Sequence, residues 1–231
     1  MAETVLFQEV DPQALFGGEF PTLGLGIVPF DDKKEASASG RLAARNAVTS
    51  ILPVAHIPEE IMILKRESGR PYADFEDGLF QALLEKGVLD VPISITHFES
   101  ISLGFGALDQ GERPGLRIGI DTTSLARMQK LVGHHRLNKI LAPSEIEEYN
   151  NDPAYLARIF AAKEAASKVL GTGLTNGTYL STIVTHEEDG VMSVQLTDGA
   201  LEHQQRLGLS HFHIRHAESR GAVAALVLAH K

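Results

Sequence analysis

Glu164 and Lys168 stand four residues apart in RIFAAKEAASKVLG (158–171), a run otherwise dominated by small and apolar residues. On a helix such a pair lies one turn apart on one face. As a solvated ion pair it would support the helix by only about 0.3 kcal/mol. Beside a phosphate ester the same two groups do chemistry: the carboxylate binds a cation or takes a proton, and the amine faces phosphate charge. Asp121 is the second candidate. It closes the strand-like segment LRIGID (116–121), where turn chemistry and metal ligation are both open to an aspartate. Magnesium takes oxygen ligands and engages one or two carboxylates, so Asp121 converging on Glu164 would supply that minimal pair.

The elements that must position these residues follow from local signals. Asp152-Pro153 caps and opens a long helix, and Gly171 and Gly173 end it. PSEIEEYNN (143–151) is expected as a short helix with Ser144 at its N-cap and Glu147 closing a capping box. AVAALVLA (222–229) is expected as a buried strand. The chain also repeats itself. PISITHFESISLGFGAL (92–108) is similar to HFHIRHAESRGAVAALVL (211–228), with His97, Glu99 and Ser100 falling 119 residues before His216, Glu218 and Ser219. Upstream of each copy GRLAARNAVTSIL (40–52) parallels ARIFAAKEAASKVL (157–170), and a Gly turn follows each helix in ESGRPYAD (67–74) and GTGLTNGTYL (171–180). The expectation is an α+β protein made of two similar halves, 1–110 and 111–231, related by duplication.

Bulk properties narrow the function. The 231 residues are 43% hydrophobic and 22% charged, in the range of a soluble globular protein. The absence of cysteine removes disulfides, thiolate zinc sites and a cysteine nucleophile. A net charge of −9 argues against nucleic acid as a partner. No apolar run approaches the roughly 20 residues of a membrane span, and MAETVLFQEV has no secretory pattern, so a cytoplasmic protein without membrane contact is expected. Residues 1–110 carry 8 Lys/Arg against 17 Asp/Glu, whereas 111–231 carry 13 of each. Within the second half, residues 122–144 contain Arg127, Lys130, Arg136, Lys139, His134 and His135 and no acid, which suits either a solvated face or a docking surface for an acidic partner.

Other motifs carry less. GTGLTNG follows a helix instead of a strand, so it is not a dinucleotide-binding turn. His211 and His213 would share one strand face, without a further ligand at metal spacing. His97 is expected near the Gly turn containing Arg70, where an anion could be held, although an isolated histidine is more often structural. No Gly-x-Ser-x-Gly elbow is present.

Gly119-Ile120-Asp121, followed by Phe160-x-x-Lys163-Glu164-Ala165-x-x-x-Lys168, resembles the signature of the 4′-phosphopantetheinyl transferases. RIFAAKEAASKVLGTGL (158–174) is similar to the holo-acyl-carrier-protein synthase version of that signature. The two-half length and the repeat resemble the longer, surfactin-synthetase-activating type, in which both halves lie in one chain around a pseudo-twofold cleft for coenzyme A. ESGRPYAD and ISITHFES resemble that type's Gly-Lys-Pro turn and Ser-His strand.

The resemblance implies an α+β fold with pseudo-twofold halves and magnesium-dependent transfer of phosphopantetheine from coenzyme A to a carrier-protein serine, releasing adenosine 3′,5′-bisphosphate. It implies Asp121 and Glu164 as metal ligands, Glu164 as general base and Lys168 at the leaving phosphate. Arg70, Thr96 and His97, joined by Arg41 and Arg45, would hold the cofactor's phosphates. Lys163 would point elsewhere, to cofactor or carrier. An acidic acyl or peptidyl carrier protein would dock near 122–144, and a monomer would suffice. The family often has an acid two residues after the strand Asp; here Thr123 stands there, offering a hydroxyl, and Glu145, Glu147 or Glu148 is an alternative source of a carboxylate. That departure keeps a second reading open, a relative that binds coenzyme A or a carrier domain without transfer.

Overall fold

A helix whose inward face is alanine can lie almost on the backbone of a strand lined with glycine, and each half of this chain is built on such a pair. The computed structural model describes residues 7–17, 20, 22–173, 180–188 and 191–231, and the chain divides into two units, Met1–Ile118 and Gly119–Lys231.

The first unit contains α1 (Pro12–Leu15), β1 (Leu23–Pro29), α2 (Ala36–Thr49), β2 (Ile61–Lys65), β3 (Pro71–Phe75), α3 (Asp77–Glu85), β4 (Ile93–Phe98) and β5 (Ile101–Ala107). Its main sheet runs β1-β5-β4, antiparallel throughout, with Leu23 opposite Ala107 and Ile93 opposite Gly106. The central strand β5 is buried along its whole length. A methyl on Gly26 would lie 2.0 Å from the Ala43 carbonyl oxygen and one on Gly24 2.3 Å from that of Ala47, so α2 reaches this sheet only because β1 carries glycine.

The second unit begins inside β6 (Arg117–Ser124) and continues through α4 (Leu125–Gln129), α5 (Pro143–Glu148), α6 (Pro153–Leu170), β7 (Ile183–Glu188), β8 (Val191–Leu196), α7 (Asp198–Leu207), β9 (His211–Ser219) and β10 (Ala222–His230). Its sheet order, β6-β10-β9, repeats the first: strand, helix, hairpin, helix, hairpin, with the last strand central. The difference is the insertion of α4 and α5 between the first strand and the long helix. The fold is α+β, and the two units share one topology.

Three details depart from expectation. The turns of the last hairpins correspond at 121 residues, not 119, since Phe98 pairs with Ile101 and Ser219 with Ala222. A two-residue slip preserves which face each side chain takes, so the His-x-Glu-Ser likeness survives it. Strand β6 runs on through Thr122 and Thr123, β-branched residues suited to a pleat, so Asp121 lies within the strand and not at its end. The short helix before α6 starts at Pro143 with Ala142 as its N-cap, two residues earlier than Ser144 would set it. Asp152 does cap α6, its Oδ1 accepting from the Ala154 N–H at 2.8 Å, and Gly171 ends it in the left-handed region at φ 76°. The motif positions 174–179 lie outside the described residues. Among the described residues no helix is long and apolar enough to cross a membrane.

Candidate active site

Gly119, Asp121 and Thr123 alternate along β6 and therefore share one face. That face meets α6. A methyl on Gly119 would lie 2.0 Å from the Ala165 carbonyl oxygen, so the glycine of Gly-Ile-Asp is what brings the helix onto the strand. Two residues on, Asp121 comes within reach of α6 side chains. Lys168 Nζ donates to Asp121 Oδ1 at 2.9 Å and to the Ile120 carbonyl oxygen at 2.6 Å. The Asp121 side chain is 15% exposed and that of Lys168 30%, a partly desolvated ion pair and not a surface one.

Glu164 lies one turn before Lys168. Its carboxyl is pushed up, first by burial and then by the Asp121 charge, while Lys168 and Arg127 oppose the rise. Asp121, Glu164, Lys168 and Arg127 therefore interact as one electrostatic cluster. Arg127, whose guanidinium lies 4.9 Å from the centroid of the Phe160 ring, joins it from α4. The sequence had placed Arg127 only in the basic stretch. Thr123 is 2% exposed, and its Oγ1 is buried without a hydrogen-bond partner. Two carboxylates whose charges interact, with a buried hydroxyl on the Asp121 face of β6, are hard-oxygen donors of the kind that suits magnesium.

Lys163 does not point to a cofactor or a carrier. It is fully buried, donating to Glu145 Oε2, to the Ile140 carbonyl at 2.8 Å and to the Leu180 carbonyl at 2.9 Å. Burial pulls its amine down to about 8, against the Glu145 charge that holds it protonated. Glu145 in turn accepts from the Thr185 N–H at 2.7 Å, the Thr185 hydroxyl at 2.6 Å and the Ala142 N–H at 2.7 Å. Glu145 is thus the capping carboxylate and is fully engaged, whereas Glu147 and Glu148 are exposed, the latter accepting from the Tyr155 hydroxyl at 3.0 Å.

The first-unit candidates fall into two groups. Arg70 lies in the β2–β3 turn, and burial lowers its guanidinium, Asp90 opposing and Arg66 reinforcing the shift. Arg117, which the sequence reading did not single out, is pulled down to about 10 by burial and then by Arg70 and Arg66. Three crowded guanidiniums make a region where an anion would relieve repulsion. The other group lies along α2. His97, exposed on β4 next to the buried Thr96, packs on Gly40, where a methyl would fall 2.6 Å from its Cε1. Arg41 is the next residue along and donates to Ser37 Oγ at 3.0 Å. One turn on, Arg45 Nε is buried without a hydrogen-bond partner.

His211 and His213 do share a face of β9, with His230 of β10 stacked against both at 4.9 and 5.6 Å between ring centroids. Among the described residues no group of three or more His, Asp or Glu side chains is placed to hold a metal ion. In the basic stretch Arg127, Lys130, His135, Arg136 and Lys139 are exposed.

Residues 117–227 match the family model described as the 4′-phosphopantetheinyl transferase superfamily. A holo-[acyl-carrier-protein] synthase of Maridesulfovibrio salexigens is 38% identical over 120 residues, covering 49% of this chain and 97% of that protein. One from Hamiltonella defensa is 37% identical over 120 residues, with 49% and 95% covered. The crystal structure of the holo-[acyl-carrier-protein] synthase from Neisseria meningitidis aligns at 29% identity with a TM-score of 0.45, covering 49% of this chain and 97% of that one.

Proposed function

The chain belongs to the 4′-phosphopantetheinyl transferase superfamily, and from that premise we propose that it transfers 4′-phosphopantetheine from coenzyme A to a serine of an acyl or peptidyl carrier protein. The observation that carries this reading is the packing of Asp121, Glu164 and Lys168 at the β6–α6 contact, within the matched segment. In the reaction the serine oxygen bonds to the phosphorus that bears pantetheine, and the pyrophosphate P–O bond breaks. Adenosine 3′,5′-bisphosphate leaves.

Each residue then has a task. Asp121 and Glu164, with the Thr123 hydroxyl as a further oxygen, would hold a magnesium ion, which when bound would neutralise pyrophosphate charge. Glu164 accepts the serine proton, directly or through a water, and its raised affinity for protons suits a base. Lys168, already directed at Asp121, meets the charge that develops on the leaving phosphate. Arg70, Thr96, His97, Arg41 and Arg45 bind the nucleotide phosphates, which assigns residues 1–110 to the cofactor and 111–231 to metal, catalysis and docking. Arg127, Lys130, Arg136 and Lys139 receive an acidic carrier. The protein works in the cytoplasm as a monomer.

The test is the intact mass of an apo carrier protein after incubation with this protein, coenzyme A and magnesium. A gain of one phosphopantetheine, with matching release of adenosine 3′,5′-bisphosphate and loss of both under chelation, is expected. Thr123, standing in place of an acid, favours the second reading of binding without transfer. No mass gain on fatty-acid, polyketide or peptide-synthetase carriers, together with tight binding of coenzyme A, would establish that reading instead.

A further inference from the structure

We propose that Ser102, with Ser39 behind it, is a positioning residue that fixes the tautomer and aim of His97. The proposal rests on the reading of His97 as a phosphate contact and adds the machinery that prepares it.

His97 on β4 and Ser102 on β5 are directly paired across the strands, and His97 Nδ1 lies 2.8 Å from Ser102 Oγ. Ser102 is fully buried, and its Oγ is 2.8 Å from that of Ser39, itself 7% exposed. Ser39 Oγ donates to the Ala36 carbonyl oxygen at 3.1 Å. Counting protons along the chain gives its direction. Ser39 spends its hydrogen on Ala36, so its oxygen accepts from Ser102. With that assignment Ser102 presents a lone pair to the imidazole, and Nδ1 is the donor. Its other acceptor within range, Ala36 O at 3.5 Å, gives the same answer. The neutral ring then carries its hydrogen on Nδ1.

The ring is also held by shape. Gly40 lets its Cε1–Nε2 edge rest on α2, since a methyl there would come within 2.6 and 3.3 Å of those atoms. The Phe30 ring meets it edge-on at 6.3 Å and 84°.

The second unit supplies the contrast. His216 is paired across the strands with Ala225, which has no hydroxyl. There Nε2 lies 3.2 Å from the Arg158 carbonyl oxygen, and the ring is turned into the protein. In the register set by the turns the second unit has Glu218 opposite Val223 where the first has His97 opposite Ser102, so the serine relay belongs to the first unit.

The experiment compares Ser102→Ala, Ser39→Ala, His97→Ala and the double variant Ser102→Ala/His97→Ala, using coenzyme A as the probe. Steady-state kinetics and the nitrogen-15 NMR tautomer signature of His97 are read on variants whose circular dichroism matches the parent. Loss of the relay is expected to raise KM for coenzyme A about tenfold with kcat within about twofold, as outer partners of a binding histidine do. Ser102→Ala should also weaken the Nδ1–H signature, Ser39→Ala should act in the same direction, and the double variant should be no worse than His97→Ala. An unchanged tautomer and KM in Ser102→Ala, or a double variant whose losses multiply, would overturn the positioning role. An unchanged KM in His97→Ala would instead overturn the phosphate contact on which the proposal rests.

Discussion

Replacing Lys163 by Met probes what holds α6 in register. The methionine keeps the length of the stem and removes the ammonium. In the folded protein that ammonium fills its three donor positions with Glu145 Oε2 and the carbonyls of Ile140 and Leu180. Glu145 fills its acceptor positions with Lys163, Ala142 N and both donors of Thr185. Every polar group in the network is satisfied, and both charged side chains are buried. Removing one partner leaves a buried carboxylate uncompensated and two carbonyls without that donor, so a loss of about 3–5 kcal/mol is expected. Removing both charges in Lys163→Met/Glu145→Gln should recover at least about 1 kcal/mol relative to the sum of the single losses, because no orphaned charge remains. Equilibrium urea unfolding at constant slope measures all three variants. A single-variant loss under about 1 kcal/mol, or strict additivity, would refute the reasoning that this pair is a coupled, desolvated anchor for α6.

Further predictions follow from the same contacts. Gly119→Ala should cost about 1–3 kcal/mol in urea unfolding and abolish transfer, because its methyl meets the Ala165 carbonyl and parts α6 from β6; full activity would contradict the role given to this contact. His216 is pulled down to about 4, chiefly by burial, so between the ordinary imidazole value of 6.5 and about 4 the unfolded chain binds a proton that the folded one refuses. Stability should therefore fall as pH drops through that window, by up to about 3 kcal/mol from this residue, and His216→Gln should flatten that part of the profile of unfolding free energy against pH. Arg136→Glu/Lys139→Glu should raise KM for an acidic carrier and weaken its salt dependence while leaving KM for coenzyme A unchanged; equal effects on both substrates would remove the docking assignment.

The proximity of Asp121 to Lys168, and of the Asp121 charge to Glu164, was foreshadowed in the sequence by spacing. A carboxylate and an amine four apart on an alanine-rich helix share a face, and Gly-Ile-Asp places a carboxylate beside the one residue that admits that helix. The caps of α6 were equally plain, since Asp-Pro and Gly act locally. What the sequence hid depends on partners brought from afar. Lys163 meets Glu145 and Thr185 only after α5, α6 and β7 have packed, so its neighbour Glu164 gave no hint that one lysine is structural and the other, Lys168, faces Asp121. The crowding of Arg66, Arg70 and Arg117 arises in the same way. The two-residue error in the repeat has a different origin: strand alternation leaves side chains on the same face at either register, so only the turns decide it.

Glu164 and Asp121 are proposed to act together at the phosphoryl-transfer site. The most direct measurement is the intact mass of an apo carrier protein incubated with coenzyme A, magnesium and either the parent protein or Glu164→Gln, with folding and coenzyme A binding checked in both. The account predicts a phosphopantetheine mass gain with the parent and none with Glu164→Gln, although the variant stays folded. Retained transfer by a folded Glu164→Gln variant would contradict it.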